Sequence, residues 1–240
     1  MLNRNKVRSS YVEDKLAKTM YNFLISCFRL WIVLAAIIVL LATHVSAQDS
    51  GAIDSLNQLT GSDQHDTIRA KAYVDLSEYL SEVSLDTVIP VCLKCVEIAD
   101  GDSANANPKV RRSLLWSKAF CLNNIGVVLQ HKGKFVEAIP YHERSLRIME
   151  AIRDTEGIAL NLNNLAYISN THGDVPLAIK SYGRALQMQE GIGDQRGAAR
   201  SLNSLGFIFF YQSDFDKALD YFSRALKIRL EIGDSTGIAT

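Results

Sequence analysis

The sequence predicts an all-α solenoid, a row of about four antiparallel helical hairpins. Three observations carry that class. The second half of the 240-residue chain repeats itself with a period of 40. Within each period apolar residues recur at steps of three and four, which places them on one face of a helix. The composition, 48% hydrophobic with 4 prolines, belongs to a folded chain and not a disordered one.

The amino end reads as a leader. Residues 1–47 carry six basic side chains (Arg4, Lys6, Arg8, Lys15, Lys18, Arg29) and two acids (Glu13, Asp14). No charge follows Arg29 until Asp49, and Leu30–Ala42 are thirteen apolar residues in a row. A spanning helix needs about 20 such residues, a secretory hydrophobic core roughly 7–15. Slim side chains at Val45 and Ala47 complete a signal-peptidase pattern with its cut after Ala47. Met20 offers an alternative start, with a short segment charged by Arg29. Residues 1–47 are thus a signal peptide or, uncleaved, a signal anchor. Either way the rest is exported, to the periplasm or cell surface of a bacterium, and membrane contact is confined to this segment.

Residues 48–65 follow as a leading helix, around 52–59, and a linker. The unit 66–112 is a diverged hairpin with an insert. Its second helix, around 86–99, aligns Val88-Ile89 with Ala138-Ile139 and Val96 with Leu146 at an offset of 50. Its first helix is placed around 67–80. The ten extra residues, 100–109, are rich in Asp, Asn and Gly and read as a turn-rich loop.

Three units then repeat without a gap, over 113–154, 155–194 and 195–234. Their shared columns include Leu122/Leu162/Leu202, Ala138/Ala178/Ala218, Arg144/Arg184/Arg224 and Gly157/Gly197/Gly237. In the middle unit Leu162, Leu165 and Ala166 mark one helix; Ala178, Tyr182, Ala185 and Leu186 mark the second. Gly173 between them suits a left-handed cap, and Pro176 falls in a first turn where its missing donor costs little. Asp194 is placed to cap the next helix. Residues 235–240 repeat the opening of a further unit and read as its truncated start. The apolar face of 215–232 then awaits more chain, end-to-end self-association or a partner.

These columns resemble the tetratricopeptide repeat in its longer form of roughly 40 residues. That form occurs in kinesin light chains, in Pins-type spindle adaptors and in N-terminal sensor regions of bacterial histidine kinases and nucleotide cyclases. The resemblance implies a right-handed superhelix whose first helices, the A helices, line a concave face. The family's small positions fall on Gly126/Ala166/Gly206 in helix A, and on Ala138/Ala178/Ala218 and Ser145/Ala185/Ala225 in helix B. His142/Tyr182/Phe222 take the bulky position between. Small residues let helices approach and the bulky one fills the space between them.

By the same resemblance, the position two before the small residue of helix A faces the groove: Asn124, Asn164 and Ser204. The neighbouring column is Asn123, Asn163 and Asn203. Asn is a poor helix former, so three in register at interior positions need a reason. An amide carries donor and acceptor together and suits the backbone of an extended peptide. Bonds to the adjacent repeat, fixing the stacking angle, are the other reading. Chaperone-tail binders of the family use Lys, Asn and Arg on helix A as a carboxylate clamp. In the clamp columns only Asn164 and Arg200 fit, which argues against a chaperone-tail adaptor.

No catalytic, metal or cofactor site is expected. Cys92 and Cys95 form a CxxC, but they occupy the columns of His142 and Ser145, mid-helix packing positions; Cys121 is an odd thiol. Asp100 and Asp102 open like a calcium loop, yet Ala104, Asn105 and Arg111 occupy positions that need a ligand, a glycine and a bidentate Glu. They read as a solvated turn. His131, His142 and His172 read as solvent-facing. Beyond residue 47 the chain carries 20 basic and 24 acidic groups, the opposite of a nucleic-acid surface. The expected function is an exported scaffold binding a protein or peptide through Asn123, Asn124, Asn163, Asn164, Arg200, Asn203 and Ser204. The alternative is the extracytoplasmic sensor part of a longer signalling enzyme, a histidine kinase or nucleotide cyclase.

Overall fold

Eight long helices follow one another in the computed structural model, which describes residues 53–61, 65–102, 106–234 and 237. They are α1 (Asp66–Val83), α2 (Leu85–Asp102), α3 (Pro108–His131), α4 (Phe135–Ile152), α5 (Thr155–Thr171), α6 (Val175–Ile192), α7 (Gln195–Tyr211) and α8 (Phe215–Glu231). Residues 53–59 are also helical. No strand occurs among the described residues. The chain divides into two compact units, 1–55 and 56–240, and all eight helices lie in the second. The leader 1–47, its cleavage point and residues 238–240 lie outside the described residues. Among the described residues no helix is long and apolar enough to cross a membrane.

Each helix packs on its neighbours in the chain, and the odd-numbered A helices also touch one another, which is the stacking of a helical solenoid. The turns explain why the hairpins form. Asp154 and Asp194 accept from the N–H of Gly157 and Gly197 at 3.1 and 2.9 Å, capping α5 and α7. Asp234 does the same for Gly237 at 3.1 Å. This is the physical content of the Asp-x-x-Gly column: the acid satisfies an orphan donor. The glycine leaves room beside it, since a Cβ on Gly157 would fall 2.5 Å from Sδ of Met149 on the preceding helix. Asp174 and Asp214 cap α6 and α8 in the same way. Gly173, with φ of 85°, is the left-handed cap expected of it.

Within a hairpin, the knob of helix B seats on the small residue of helix A. Gly126 faces His142, and Gly206 faces Phe222. One residue column on, Cys95 donates to the Ala70 carbonyl at 3.5 Å and Ser145 to the Ala119 carbonyl at 2.7 Å. These matched bonds set helix A of the first hairpin at an offset of 49, while helix B keeps 50. The first hinge is accordingly short, Ser84 alone, where the others take three residues. Leucines at 114, 122 and 202 are fully buried, each contributing about 1.5–3 kcal/mol.

Three expectations need correction. The insert is not a ten-residue loop: α2 runs on through Asp102 and α3 begins at Pro108, with Asn107 Oδ1 accepting from Lys109 and Val110 N–H. Asp100 is therefore helical and not in a turn, held by an ion pair with Lys118. His142 is not solvent-facing but 0% exposed, because its column is the knob opposite Gly126.

Candidate functional site, the groove of the A helices

Two adjoining cavities lie along the A helices. The larger, about 440 Å³, runs from Glu78 on α1 past Phe120, Asn124 and Val127 on α3 and Leu160 on α5 to Arg200 on α7. The smaller, about 200 Å³, is lined by Leu160, Asn163, Asn164, Tyr167, Tyr182, Arg200 and Ser204. Leu160 and Arg200 belong to both, so the two form one groove across successive repeats.

The sequence-derived residues distribute as follows. Asn123, Asn124 and Arg200 line the larger cavity; Asn163, Asn164 and Ser204 line the smaller. Asn203 is half-buried on α7 and lines neither. Several amides also join neighbouring repeats. Asn124 Nδ2 donates to Ser77 Oγ at 2.9 Å, and Asn164 Nδ2 donates to Asn123 Oδ1 at 2.8 Å. Asn123 is 4% exposed and sits at the base of this ladder, while Asn124 and Asn164 are half-buried at its rim. Asn163 Oδ1 accepts from Ser201 Oγ at 3.0 Å. Buried Gln189, with its amide turned so that donors meet acceptors, accepts from Asn163 and donates to Ser201 and the Gly197 carbonyl. The outer column therefore has both roles available: one N–H fastens the stack, and the remaining amide capacity faces the groove.

Charge in the groove is mixed. Arg200 is exposed, and no carboxylate of the described residues pairs with it. Glu78, at the other end, has its carboxyl pushed above the usual range by partial burial, then by Asp75, with Lys71 opposing. Phe120 and Leu160 supply the apolar lining between. Glu78 and its neighbours on the first hairpin were not read from the sequence. The signal was there: at an offset of 49, Glu78 falls in the Val127/Tyr167/Phe207 column.

The other singled-out residues lie away from the groove or at its edge. Cys92, Cys95 and Cys121 are free and each 0% exposed, packed in one core cluster. The neighbouring thiols and burial push Cys121 well above the ordinary thiol range. His131 lines the end of the larger cavity, and His172 meets the Phe135 ring edge-on.

Comparison with known proteins agrees with this geometry. The tetratricopeptide repeat family model matches residues 118–191 and 157–231. No curated protein sequence matches the chain. Among solved structures, BtubC (BKLC) from P. vanneervenii is similar at 20% identity and a TM-score of 0.60, over 77% of this chain and 72% of that one. Aspartyl phosphate phosphatase F from Bacillus subtilis is similar at 15% identity and a TM-score of 0.62, over 73% of this chain. This chain spans 44% of the phosphatase. At such identities the likeness is one of fold.

Proposed function

Because residues 118–231 belong to the tetratricopeptide repeat family, we propose that the chain is a non-enzymatic scaffold that holds an extended peptide segment of a partner protein in the A-helix groove. The observation that carries this reading is the groove itself: half-buried amides at Asn124 and Asn164 flank an apolar lining of Phe120 and Leu160, with exposed Arg200 at one end. Amides serve a peptide backbone in any sequence, the apolar lining takes side chains, and a single cation favours an acidic residue near it. Export follows from the leader: thirteen apolar residues and the slim pair Val45 and Ala47 support delivery across a membrane, by cleavage or as an anchor.

A displayed random-peptide library selected on the wild-type chain tests the groove. Selected peptides should lose about tenfold or more in affinity on Arg200→Ala or Phe120→Asp, or roughly 1.4 kcal/mol and up. Binders that ignore both substitutions would place the site elsewhere. For the leader, the amino-terminal residue of the protein recovered from cells decides: Gln48 marks cleavage, and a retained leader with membrane-bound protein marks an anchor.

A further inference from the structure

Three of the chain's 4 cysteines meet in one core cluster. Cys92 and Cys95 on α2 and Cys121 on α3 are free and fully buried, and the Cys121 thiol is within hydrogen-bonding reach of both others. Their columns tell them apart. Cys95 stands where Ser145 stands one hairpin on, and like that hydroxyl its thiol donates to a carbonyl of its own hairpin, Ala70 at 3.5 Å. Cys92 is the knob of its hairpin, and Cys121 shares a column with Asn161 and Ser201. The later knobs, His142 and Tyr182, therefore have no thiol in that column of the next helix A. Thiol meets thiol between successive hairpins at the α2–α3 joint alone among the described ones.

That joint is also built differently. The α4–α5 and α6–α7 joints are two residues long (153–154 and 193–194), and in each an Asp caps the N–H of a Gly. Between α2 and α3 five residues intervene (103–107), and Leu114 and Ser117 occupy the columns of that Asp and Gly. Among the described helices, α1 and α2 reach the rest of the array through α3 alone. The longest connection and the missing Asp–Gly cap thus fall at the seam that holds the first hairpin, and the thiols lie in that seam.

We propose that Cys92 and Cys121 form a disulfide that locks α2 to α3, an oxidisable site in a fold otherwise held by packing. The oxidant is an external disulfide, which reaches the pair while the first hairpin is open or before it docks. A Cys92 thiolate attacks one donor sulfur, the donor S–S bond breaks, and half of the donor leaves as a thiolate. The Cys121 thiolate then attacks Sγ of Cys92, the mixed disulfide breaks, and the second half leaves. Two electrons pass from the pair to the donor, and the two protons shed by Cys92 and Cys121 end on the two donor thiols.

Trypsin separates the three thiols, because Lys94 lies between Cys92 and Cys95: they fall in 72–94, 95–109 and 119–132, and Cys27 in 19–29. The full chain is refolded from urea in mild detergent with reduced and oxidised glutathione, alkylated and mapped without reduction. It should yield 72–94 joined to 119–132, with Cys95 alkylated. Its Tm should stand about 5–10 °C above that of the same protein in dithiothreitol. Cys95→Ser, a residue this column already holds at Ser145, should keep both the link and the gain. Cys121→Ser, for which Ser201 is the precedent, should lose both. Peptide 119–132 joined instead to 95–109, a link between 72–94 and 95–109, or all three thiols alkylated after oxidation would overturn the inference. So would a linked protein with no gain in Tm, or a gain that persists in Cys121→Ser.

Discussion

A Cβ on Gly126 of α3 would lie 2.5 Å from Nε2 of His142 on α4, so the glycine is what admits the ring. Gly206 stands in the same relation to Phe222, at 2.7 Å from ring carbon. The buried pair Ala166 and Tyr182 shares the column, and Ser77 and Cys92 stand in it in the first hairpin. In every hairpin, then, this column sets a small residue of helix A under the side chain of helix B.

Gly126→Ala is expected to lower stability by about 1–3 kcal/mol, the cost of overpacking a tight contact. Adding His142→Ala should recover part of that loss, because the ring that clashes is gone. Urea denaturation of the single and double variants measures the coupling. An unchanged midpoint in Gly126→Ala would contradict the contact.

His142 also makes the fold pH-sensitive. Its ring is fully buried, and burial pulls its pKa from 6.5 to about 4, with Asn161 opposing. The unfolded chain takes up this proton near pH 6.5, while the folded chain resists it until about pH 4. The contribution of the neutral ring is therefore complete above the higher value and is lost as pH falls through the lower one. Its size is on the order of 3 kcal/mol. His142→Phe, a ring that Gly206 already accommodates in Phe222, should flatten this part of the profile. Urea midpoints of both proteins across the acid range give the comparison, and parallel profiles would remove His142 as the source.

One cap is missing from the series. Asp174 and Asp214 accept from Leu177 and Lys217 N–H at 3.2 and 3.3 Å, but Lys134 gives α4 no side-chain cap. Lys134→Asp should stabilise the protein by about 1 kcal/mol, raising Tm by about 2–4 °C. The ion pair lost with Glu137 is half-exposed and weighs little against this. A lowered Tm would show that Lys134 contributes more through that pair than the cap would supply.

The hairpins, the capping acids and the small-residue columns were legible because a 40-residue period fixes which face of every helix is buried. The column of Asn124, Asn164 and Ser204 came from the family resemblance and not from the period, and its residues line the two cavities. What the period does not encode is the distance between repeats, and that distance decides whether an amide reaches Ser77 or Asn123 or faces solvent. Glu78 was missed because the first hairpin was aligned on helix B alone, and its one-residue hinge shifts helix A by one position. The helical course of Asp100 was hidden by Gly101 and the Asn-rich segment beyond it. Lys118, eighteen residues on, is the partner that holds it.

The two roles of the amide column are separable by comparing Asn164 with Arg200. Asn164→Ala removes the bond to Asn123 Oδ1 and leaves that acceptor buried, 4% exposed, without its donor from the next repeat. The expected cost is about 1–3 kcal/mol of stability. Arg200 is exposed, so Arg200→Ala should change stability by no more than about 0.5 kcal/mol. Peptide affinity should fall in Arg200→Ala with the melt unchanged, and in Asn164→Ala the melt itself should fall. Lost binding with an intact melt in Asn164→Ala would leave the ligand contact standing and remove the fastening role, since a staple cannot be removed without loosening the stack it holds.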